Sequence, residues 1–352
     1  MTQMHRQSLV SYGDPLHETM VDLPHPRGTE VLVRISRCGV CHSDLHMQDG
    51  YFDLGNGKTL DVRGGRALPF TLGHEIAGEV ENAGQEADVR MGIAVAIYPW
   101  IGCGQCRACQ AGQENICAAP RHLGITADGG FATHVLVPNP RYLIEYAPLS
   151  PGFAGALMCS GLTAYAALKR LAEQAHDWPL LLIGIGGVGL MGLALAQAMY
   201  GVAPYVADID GRKREAALAA GAKQAFDPSN PDDRKALLKA TGGVFGVCDF
   251  AGSDVSLNFA TGVLAKGGKV VVTGLIGGGF SSPVAMFPLK AMTIEGTMTG
   301  TLAEARELVD LVRNRNIPAP QITEKPLTSA SEALDDLRAG RVIGRVVLDP
   351  RS

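Results

Sequence analysis

The middle of the chain alternates short apolar runs with segments of helical periodicity. Residues 180–183 are wholly apolar, as expected for a strand buried on both faces of a parallel sheet. Further strands are predicted at 205–207, 224–226, 244–250 and 269–273, and helices at 212–220 and 230–240. Strands that alternate with helices in this way predict an α/β domain with a doubly wound parallel sheet.

The flanking residues follow a different pattern. Before about residue 158, runs such as 30–35 and 76–80 have strand-like composition, and turn-rich segments separate them. After residue 295, a helix is predicted at 302–313 and a last strand at 344–348, which needs a sheet to join. We therefore expect two domains. Residues 1–158 and 296–352 would form a β-rich domain, and residues 159–295 the doubly wound one.

Composition narrows the class of protein. Hydrophobic residues make up 46% and charged residues 19% of a chain with net charge -4, so a basic surface for nucleic acid is not expected. Residues 180–199 resemble a membrane span, but their glycines would break the helix, and we predict a strand followed by a helix. Residues 1–10 lack the apolar core of a secretion signal, so a cytoplasmic protein with no membrane partner is expected.

A glycine-rich turn follows the first apolar strand. Residues 184–189 read Gly-Ile-Gly-Gly-Val-Gly, which is the spacing of a dinucleotide fingerprint. Asp208 ends the next predicted strand, where its carboxylate would bind the adenosine ribose hydroxyls and repel a 2′-phosphate. NAD is therefore expected rather than NADP. The alternative is an α/β domain without a nucleotide, and the glycine spacing together with Asp208 disfavours it.

Four of the eight cysteines lie close together in the sequence. They are Cys103, Cys106, Cys109 and Cys117. Thiolates at this spacing can close on one tetrahedral cation, which predicts a structural four-sulfur zinc site. A disulfide framework is the alternative, but such frameworks belong to short secreted chains, and this chain has 352 residues.

A second metal site is suggested by Cys41, His74 and Cys159, each in a segment with a neighbouring glycine. Two sulfurs and one imidazole leave a tetrahedral zinc one open position for a substrate oxygen. Taken alone, each of these cysteines could equally be a small buried apolar residue. The remaining histidines, His122 among them, match no motif and are assigned no role.

Together these motifs resemble the zinc-dependent medium-chain alcohol dehydrogenases. The matching segments occur in the order of that family, and they are residues 41–46, 73–75, 103–117, 159–163 and 184–189. The resemblance spans nearly the whole chain. It implies a GroES-like β catalytic domain, built from both chain ends, and a Rossmann domain with a doubly wound parallel sheet.

The resemblance also implies roles for single residues. The catalytic zinc ligands would be Cys41, His74 and Cys159, and the four clustered cysteines would hold a second, structural zinc. Glu75 would lie close behind the catalytic metal, and Asp44 would orient His74. The implied proton relay consists of Ser43 and His46. The implied cofactor-binding residues are His42, Gly184, Gly186, Gly187, Val188, Gly189, Asp208 and Arg345.

The implied activity is reversible hydride transfer from a primary or secondary alcohol to NAD, which gives an aldehyde or ketone. The partner would be this small molecule, and the assembly a homodimer or homotetramer, in which the apolar segment 284–297 could be an edge strand that pairs with a second subunit. Alternatives are a related zinc enzyme for a polyol, an amino alcohol or a formaldehyde adduct, or a catalytically silent nucleotide-binding relative. The long segment between His46 and His74 is expected near the substrate entrance.

Overall fold

The computed structural model describes residues 3–172 and 178–352, and the strands found there are numbered along the chain. They are β1 Gln3–Leu9, β2 His17–Asp22, β3 Val31–Gly39, β4 Tyr51–Gly55, β5 Lys58–Asp61, β6 Phe70–Thr71, β7 Glu75–Ala83, β8 Ala94–Ile97, β9 His134–Val137, β10 Leu143–Glu145, β11 Leu180–Ile183, β12 Tyr205–Ala207, β13 Ala225–Phe226, β14 Val244–Asp249, β15 Leu264–Val272, β16 Thr293–Gly296, β17 Ile322–Pro326 and β18 Arg345–Asp349.

The helices of the described residues are mostly short. The α-helices are His42–Asp49, Arg107–Gln110, Pro151–Ala156, Leu162–Lys169, Gly187–Tyr200, Gly211–Ala219, Pro231–Thr241, Asp254–Val263, Met286–Lys290, Leu302–Arg315 and Ala330–Arg338. Single turns of 3-10 helix are Glu114–Ile116, Pro140–Tyr142 and Leu327–Ser329, and Leu157–Gly161 is a π-helix.

The chain divides into two compact units. The first comprises Met1–Tyr51, Asp61–Cys159 and Thr301–Ser352, and the second comprises Phe52–Leu60 and Ser160–Gly300. The first unit is therefore assembled from both ends of the chain.

The first unit is built on β-sheet. Its larger sheet has the order β10-β8-β7-β3-β18-β17, and β9 also pairs with β3. The last strand, β18, runs antiparallel to β3, with Val347 opposite Gly39. The prediction that the last strand joins the N-terminal β-sheet is therefore confirmed. Apolar side chains on β3 and β7, such as Ile35 and Ile76, are almost fully buried and form part of the core.

The second unit contains a six-stranded sheet in the order β13-β12-β11-β14-β15-β16. All five neighbouring pairs are parallel, and helices follow the strands along the chain. The predicted doubly wound α/β sheet is thus confirmed. In such sheets ligands bind at the carboxyl ends of the strands, where the winding reverses, here beside β11.

The apolar segment 284–297 contains two elements. Met286–Lys290 is helical, and only Thr293–Gly296 forms a strand, β16, which lies at the edge of the six-stranded sheet. The expectation of an edge strand is correct for residues 293–296 and wrong for the residues before them, where Pro288 is part of a helical turn.

The segment between His46 and His74 contains a hairpin formed by β4 and β5. Asn56 and Gly57 both have positive φ, as the tight turn of a two-residue hairpin requires. Gly55 lies close against the backbone of Gly278 within the second unit, since a Cβ there would come within 2.4 Å of Gly278. The glycine-rich composition of this segment therefore serves a tight turn and a close backbone contact.

One helical stretch, Pro151–Lys169, is long and apolar enough to cross a membrane by length and composition. In its most apolar window 89% is buried inside the structure, which is typical of a core helix. The stretch singled out from the sequence, residues 180–199, contains strand β11 and most of the helix Gly187–Tyr200, as predicted.

Candidate metal centres and dinucleotide site

Cys41, His74, Glu75 and Cys159 come together inside the first unit. One ligand atom from each lies within 4.8 Å of all the others, and all four residues are buried. The two sulfurs are 3.9 Å apart. Two thiolates on a tetrahedral zinc would be separated by about 3.8 Å, so the spacing fits that metal. Residues that are far apart in sequence therefore form one candidate metal centre.

Local backbone structure places each of these residues. Cys41 is the residue that precedes the helix His42–Asp49, and His74 immediately precedes β7. Gly73, before His74, has a φ of 92°, and a Cβ there would collide with the ring of Phe131. Cys159 lies in the π-helix Leu157–Gly161. Such wide helical turns are frequent at functional sites.

Asp44 ties two of the ligand segments together. Its buried carboxylate accepts hydrogen bonds from the backbone N–H of Cys41 at 2.9 Å and of Gly73 at 3.1 Å. One of its oxygens also lies 3.3 Å from Nδ1 of His74. Asp44 thus contacts His74 and also holds the backbone at Cys41.

The His74 imidazole has no hydrogen bond that satisfies it. Nδ1 has only the 3.3 Å contact with Asp44, and Nε2 has no partner among the described residues, although the ring is fully buried. Burial disfavours the imidazolium, but the Asp44 carboxylate and the Cys41 sulfur outweigh it and raise the pKa of His74. A buried polar group without a partner is costly, and a metal ion on one ring nitrogen would remove that cost.

The two thiols of the same cluster differ in acidity, because a hydrogen bond with Cys41, together with burial, raises the pKa of Cys159. A hydrogen bond from Cys159, and a smaller contribution from His74, lower the pKa of Cys41 against the effect of burial. Metal binding requires the thiolate, so an environment that favours it lowers the free energy needed to deprotonate the ligand.

Glu75 and Arg345 form a buried ion pair beside this cluster. Arg345 also donates a hydrogen bond to the carbonyl of Val40 at 3.0 Å. Burial raises the pKa of Glu75 to about 7, although the Arg345 charge works in the opposite direction. Gly39 leaves the space that Glu75 occupies, because a Cβ at that position would overlap the carboxylate.

The four clustered cysteines form a second candidate metal centre. Their sulfurs also lie within 4.8 Å of one another. Individual separations are 3.5 Å between Cys106 and Cys109, 3.8 Å between Cys106 and Cys117, and 4.0 Å between Cys103 and Cys109. The backbone N–H of Cys109 is the main cause of a pKa of about 6 at Cys106. This geometry fits a tetrahedral cation with four thiolates.

Glu114 supports this cysteine loop and was not identified from the sequence. Its buried carboxylate accepts hydrogen bonds from the backbone N–H of Gly102 at 3.0 Å and from the hydroxyl of Tyr142 at 2.7 Å, and it pairs with Arg141. A buried carboxylate is stable only when it is paired in this way. The signal in the sequence that could have pointed to Glu114 was a charged residue three positions before Cys117.

The glycine fingerprint has the geometry that its spacing predicts. Gly184 has a φ of 83°, at the turn after β11. At Gly189 a Cβ would lie 2.2 Å from the carbonyl of Gly184, so the helix can approach the strand only without a side chain. At Gly186 a Cβ would meet nothing within 4 Å. The loop thus offers exposed backbone at the start of the helix Gly187–Tyr200, where a pyrophosphate would bind.

Asp208 follows β12 and faces the same loop. Its buried carboxylate accepts hydrogen bonds from the backbone N–H of Ile185 at 2.7 Å and of Asp210 at 2.9 Å. The side chain is therefore held next to the glycine fingerprint.

The predicted relay residues share one helix with His42, one of the two predicted pyrophosphate contacts. His42 is the exposed first residue of His42–Asp49, while Ser43 and His46 are half-buried and three residues apart, hence on the same helical face. The hydroxyl of Ser43 lies 4.0 Å from the sulfur of Cys41.

Comparison with known proteins identifies the family. Two family models match, one described as "Alcohol dehydrogenase GroES-like domain" over residues 27–148 and one as "Zinc-binding dehydrogenase" over residues 187–314. A protein of Sulfurisphaera tokodaii named "NAD-dependent alcohol dehydrogenase" is 36% identical, covering 99% of this chain and 100% of its own. This chain belongs to the zinc-binding alcohol dehydrogenase family. The predicted family and the predicted GroES-like and Rossmann folds are thereby confirmed.

The names of other relatives indicate different substrates. A "D-arabinose 1-dehydrogenase (NADP(+))" of Saccharolobus solfataricus is 30% identical, covering 97% of this chain and 96% of its own. The solved structure of the alcohol dehydrogenase from Aeropyrum pernix superimposes with a TM-score of 0.88 at 28% identity, covering 98% of this chain and 100% of that one. This alcohol dehydrogenase fold is therefore shared over essentially the full length.

Proposed function

We propose that this protein is an NAD-dependent alcohol dehydrogenase that transfers hydride reversibly between a primary or secondary alcohol and NAD, giving an aldehyde or ketone. The observation that carries the proposal is the buried cluster of Cys41, His74 and Cys159, whose two sulfurs are 3.9 Å apart and whose imidazole nitrogen Nε2 has no hydrogen-bond partner among the described residues. Full-length relatives that carry the same activity in their names support it.

The catalytic zinc would be held by Cys41, His74 and Cys159. When bound, zinc supplies a Lewis acid for the alcohol oxygen. Asp44 positions two of the three ligand segments through its hydrogen bonds to Cys41 and Gly73. Glu75 lies close to the ligands, and Arg345 neutralises its charge.

Ser43 and His46 would carry the alcohol proton away. The Ser43 hydroxyl is near the candidate metal because it lies 4.0 Å from the sulfur of Cys41. His46 lies one helical turn further along the same face, where an imidazole can pass a proton at near-neutral pH. The helix thus offers two groups suited to accept a proton in sequence.

NAD would bind on the glycine fingerprint. Backbone at residues 184–189 would contact the pyrophosphate, Val188 lies in the first turn of the helix, and Asp208 would accept hydrogen bonds from the ribose. His42 and Arg345 remain proposed pyrophosphate contacts. NAD supplies the hydride acceptor, and the protein orients it.

Two zinc ions per chain are proposed, one in each cysteine-containing cluster. All eight cysteines are unpaired, which suits the reducing cytoplasm that we propose as the location. A homodimer or homotetramer is supported by the edge strand β16 and by the exposed side chains of Val284 and Leu289 near it in sequence.

Substrate oxidation tests this proposal. The purified protein, loaded with zinc, is incubated with NAD and a panel of primary, secondary, aromatic and polyol alcohols while NADH formation is measured. We expect turnover of at least one class and two zinc ions per chain by metal analysis. Absence of NADH with every class at full zinc content would contradict the proposed activity, and retention of one zinc would support a catalytically silent relative.

Cofactor choice gives a second prediction, for Asp208→Ser. Removing the carboxylate removes its repulsion of a 2′-phosphate, so the ratio of kcat/KM with NADP to that with NAD should rise by about tenfold or more, equivalent to about 1.4 kcal/mol. Kinetics with both cofactors measure this ratio.

Asp210→Ser is the matched control. Asp210 is two residues away, carries the same charge, and accepts a hydrogen bond from the backbone of Arg212 at the helix start. Serine preserves that capping role. The control should change the cofactor ratio much less than Asp208→Ser. An equal change in both variants would argue that Asp208 does not contact the ribose.

A further inference from the structure

His122 carries a buried nitrogen that the proposed reaction does not use. The residue is 2% exposed, and its Nε2 has no hydrogen-bond partner among the described residues. Leaving a buried ring nitrogen unpaired costs on the order of 1–3 kcal/mol. Buried polar groups in folded proteins are nearly always satisfied, so a group from outside the chain is the expected partner.

The side chain is placed next to the catalytic metal ligands through Trp100. The Trp100 indole contacts the imidazole of His74 at a centroid distance of 5.5 Å and that of His122, edge-on, at 5.4 Å. A hydrogen bond from Trp100 Nε1 to the carbonyl of Met158, next to Cys159, fixes the indole. His122 therefore lies one aromatic ring away from a metal ligand.

The backbone around His122 is also fixed. Its carbonyl accepts hydrogen bonds from the backbone N–H groups of Ile125, Thr126 and Ala127, and its own N–H donates to the hydroxyl of Thr126 at 2.9 Å. Because the turn is closed on itself, the backbone that carries the imidazole is fixed, and the ring packs against Trp100.

Charge restricts what this imidazole can bind. Burial, with a smaller contribution from His74, lowers the pKa of His122 to about 4. The ring is then neutral at pH 7, with one nitrogen a donor and the other an acceptor. A hydroxyl or a carbonyl can pair with such a ring, whereas a carboxylate or phosphate would be drawn to a protonated one.

We propose that His122 is a specificity-determining residue that hydrogen-bonds a second, uncharged oxygen of the substrate, a hydroxyl or carbonyl remote from the carbon that is oxidised. The inference rests on the proposed alcohol dehydrogenase activity and narrows its substrate class to oxygenated alcohols. Sites built to bind a substrate hydroxyl discriminate strongly against analogues that lack it, because the buried partner is then left unpaired.

Matched pairs of alcohols test this inference. The zinc-loaded protein is assayed with NAD and with primary alkanols and α,ω-diols of equal carbon number, over a series of chain lengths. In the wild type we expect the ratio of kcat/KM for diol to alkanol to peak at one chain length. His122→Phe removes the ring nitrogens, and at that length it should lower the ratio about tenfold or more, with little change for the alkanol.

His122→Gln is the conservative variant, since its amide can replace one ring nitrogen, and it should retain part of the preference. An unchanged ratio in His122→Phe would overturn the inference and assign the nitrogen to a water molecule. A wild type without a preferred diol length would overturn it as well, whether or not His122→Phe folds. If the wild type still oxidises alkanols in that case, the proposed alcohol dehydrogenase activity is unaffected. If it oxidises neither series, both that activity and the inference about His122 are contradicted.

Discussion

Cys159→Ala is expected to lower kcat/KM for alcohol oxidation by about three orders of magnitude or more, which corresponds to about 4 kcal/mol of lost transition-state stabilisation. The reason is that Cys159 is one of three candidate ligands, and its sulfur lies 3.9 Å from that of Cys41. The fold and NAD binding should be largely retained, because the glycine fingerprint belongs to the other unit. Kinetics measure the loss of kcat/KM, NAD titration measures the retained cofactor binding, and zinc analysis measures the metal content.

Cys248→Ala is the control for this loss. Cys248 is equally buried but lies on β14, outside both cysteine clusters. Its replacement should preserve zinc content and turnover, apart from the modest stability cost of a small cavity. Wild-type turnover in Cys159→Ala at full zinc occupancy would contradict the assignment of Cys159 as a ligand.

Cys106→Ser should instead affect stability first. A four-sulfur site contributes folding free energy directly, so loss of one ligand should reduce the zinc content by one ion and lower Tm by about 5 °C or more. Alcohol oxidation at low temperature should change much less than in Cys159→Ala. Thermal unfolding, limited proteolysis and metal analysis provide the measurements.

Gln105→Ser is the matched control, because Gln105 is an exposed residue of the same loop and contributes no ligand atom to the cluster. This variant should keep both the melting temperature and the zinc content of the wild type. If Cys106→Ser matched it in Tm and in resistance to protease, the four-cysteine loop would not be a structural zinc site.

The parts of this protein that could be predicted have local signatures. Strand β11 and the turn at residues 184–189 are adjacent in sequence, and a pattern of apolar residues and glycines is enough to identify them. The four cysteines of residues 103–117 are equally local. Cys41 and Cys159 are 118 residues apart, so the residues alone only suggested that they share a site, and the family resemblance supported that suggestion.

The parts that could not be predicted depend on tertiary contacts. Glu114 is an ordinary surface residue by type, and only the folded chain brings Gly102 and Tyr142 to its carboxylate. The unpaired nitrogen of His122 is likewise a property of its buried surroundings. The π-helix at Cys159 has no characteristic amino-acid composition by which it could be predicted, because it is one widened turn within a helical stretch.

The pairing of β18 with β3 has a consequence for synthesis of the protein. Arg345, which neutralises Glu75 and donates a hydrogen bond to the carbonyl of Val40, next to Cys41, lies 305 residues after Val40 in the sequence. The ribosome must therefore translate as far as residue 345 before Cys41, a candidate ligand, has its complete surroundings. The intervening unit, largely residues 160–300, can fold earlier from contiguous sequence. A message truncated before codon 345 would thus yield a nascent chain with its nucleotide fold formed and its candidate metal centre without Arg345.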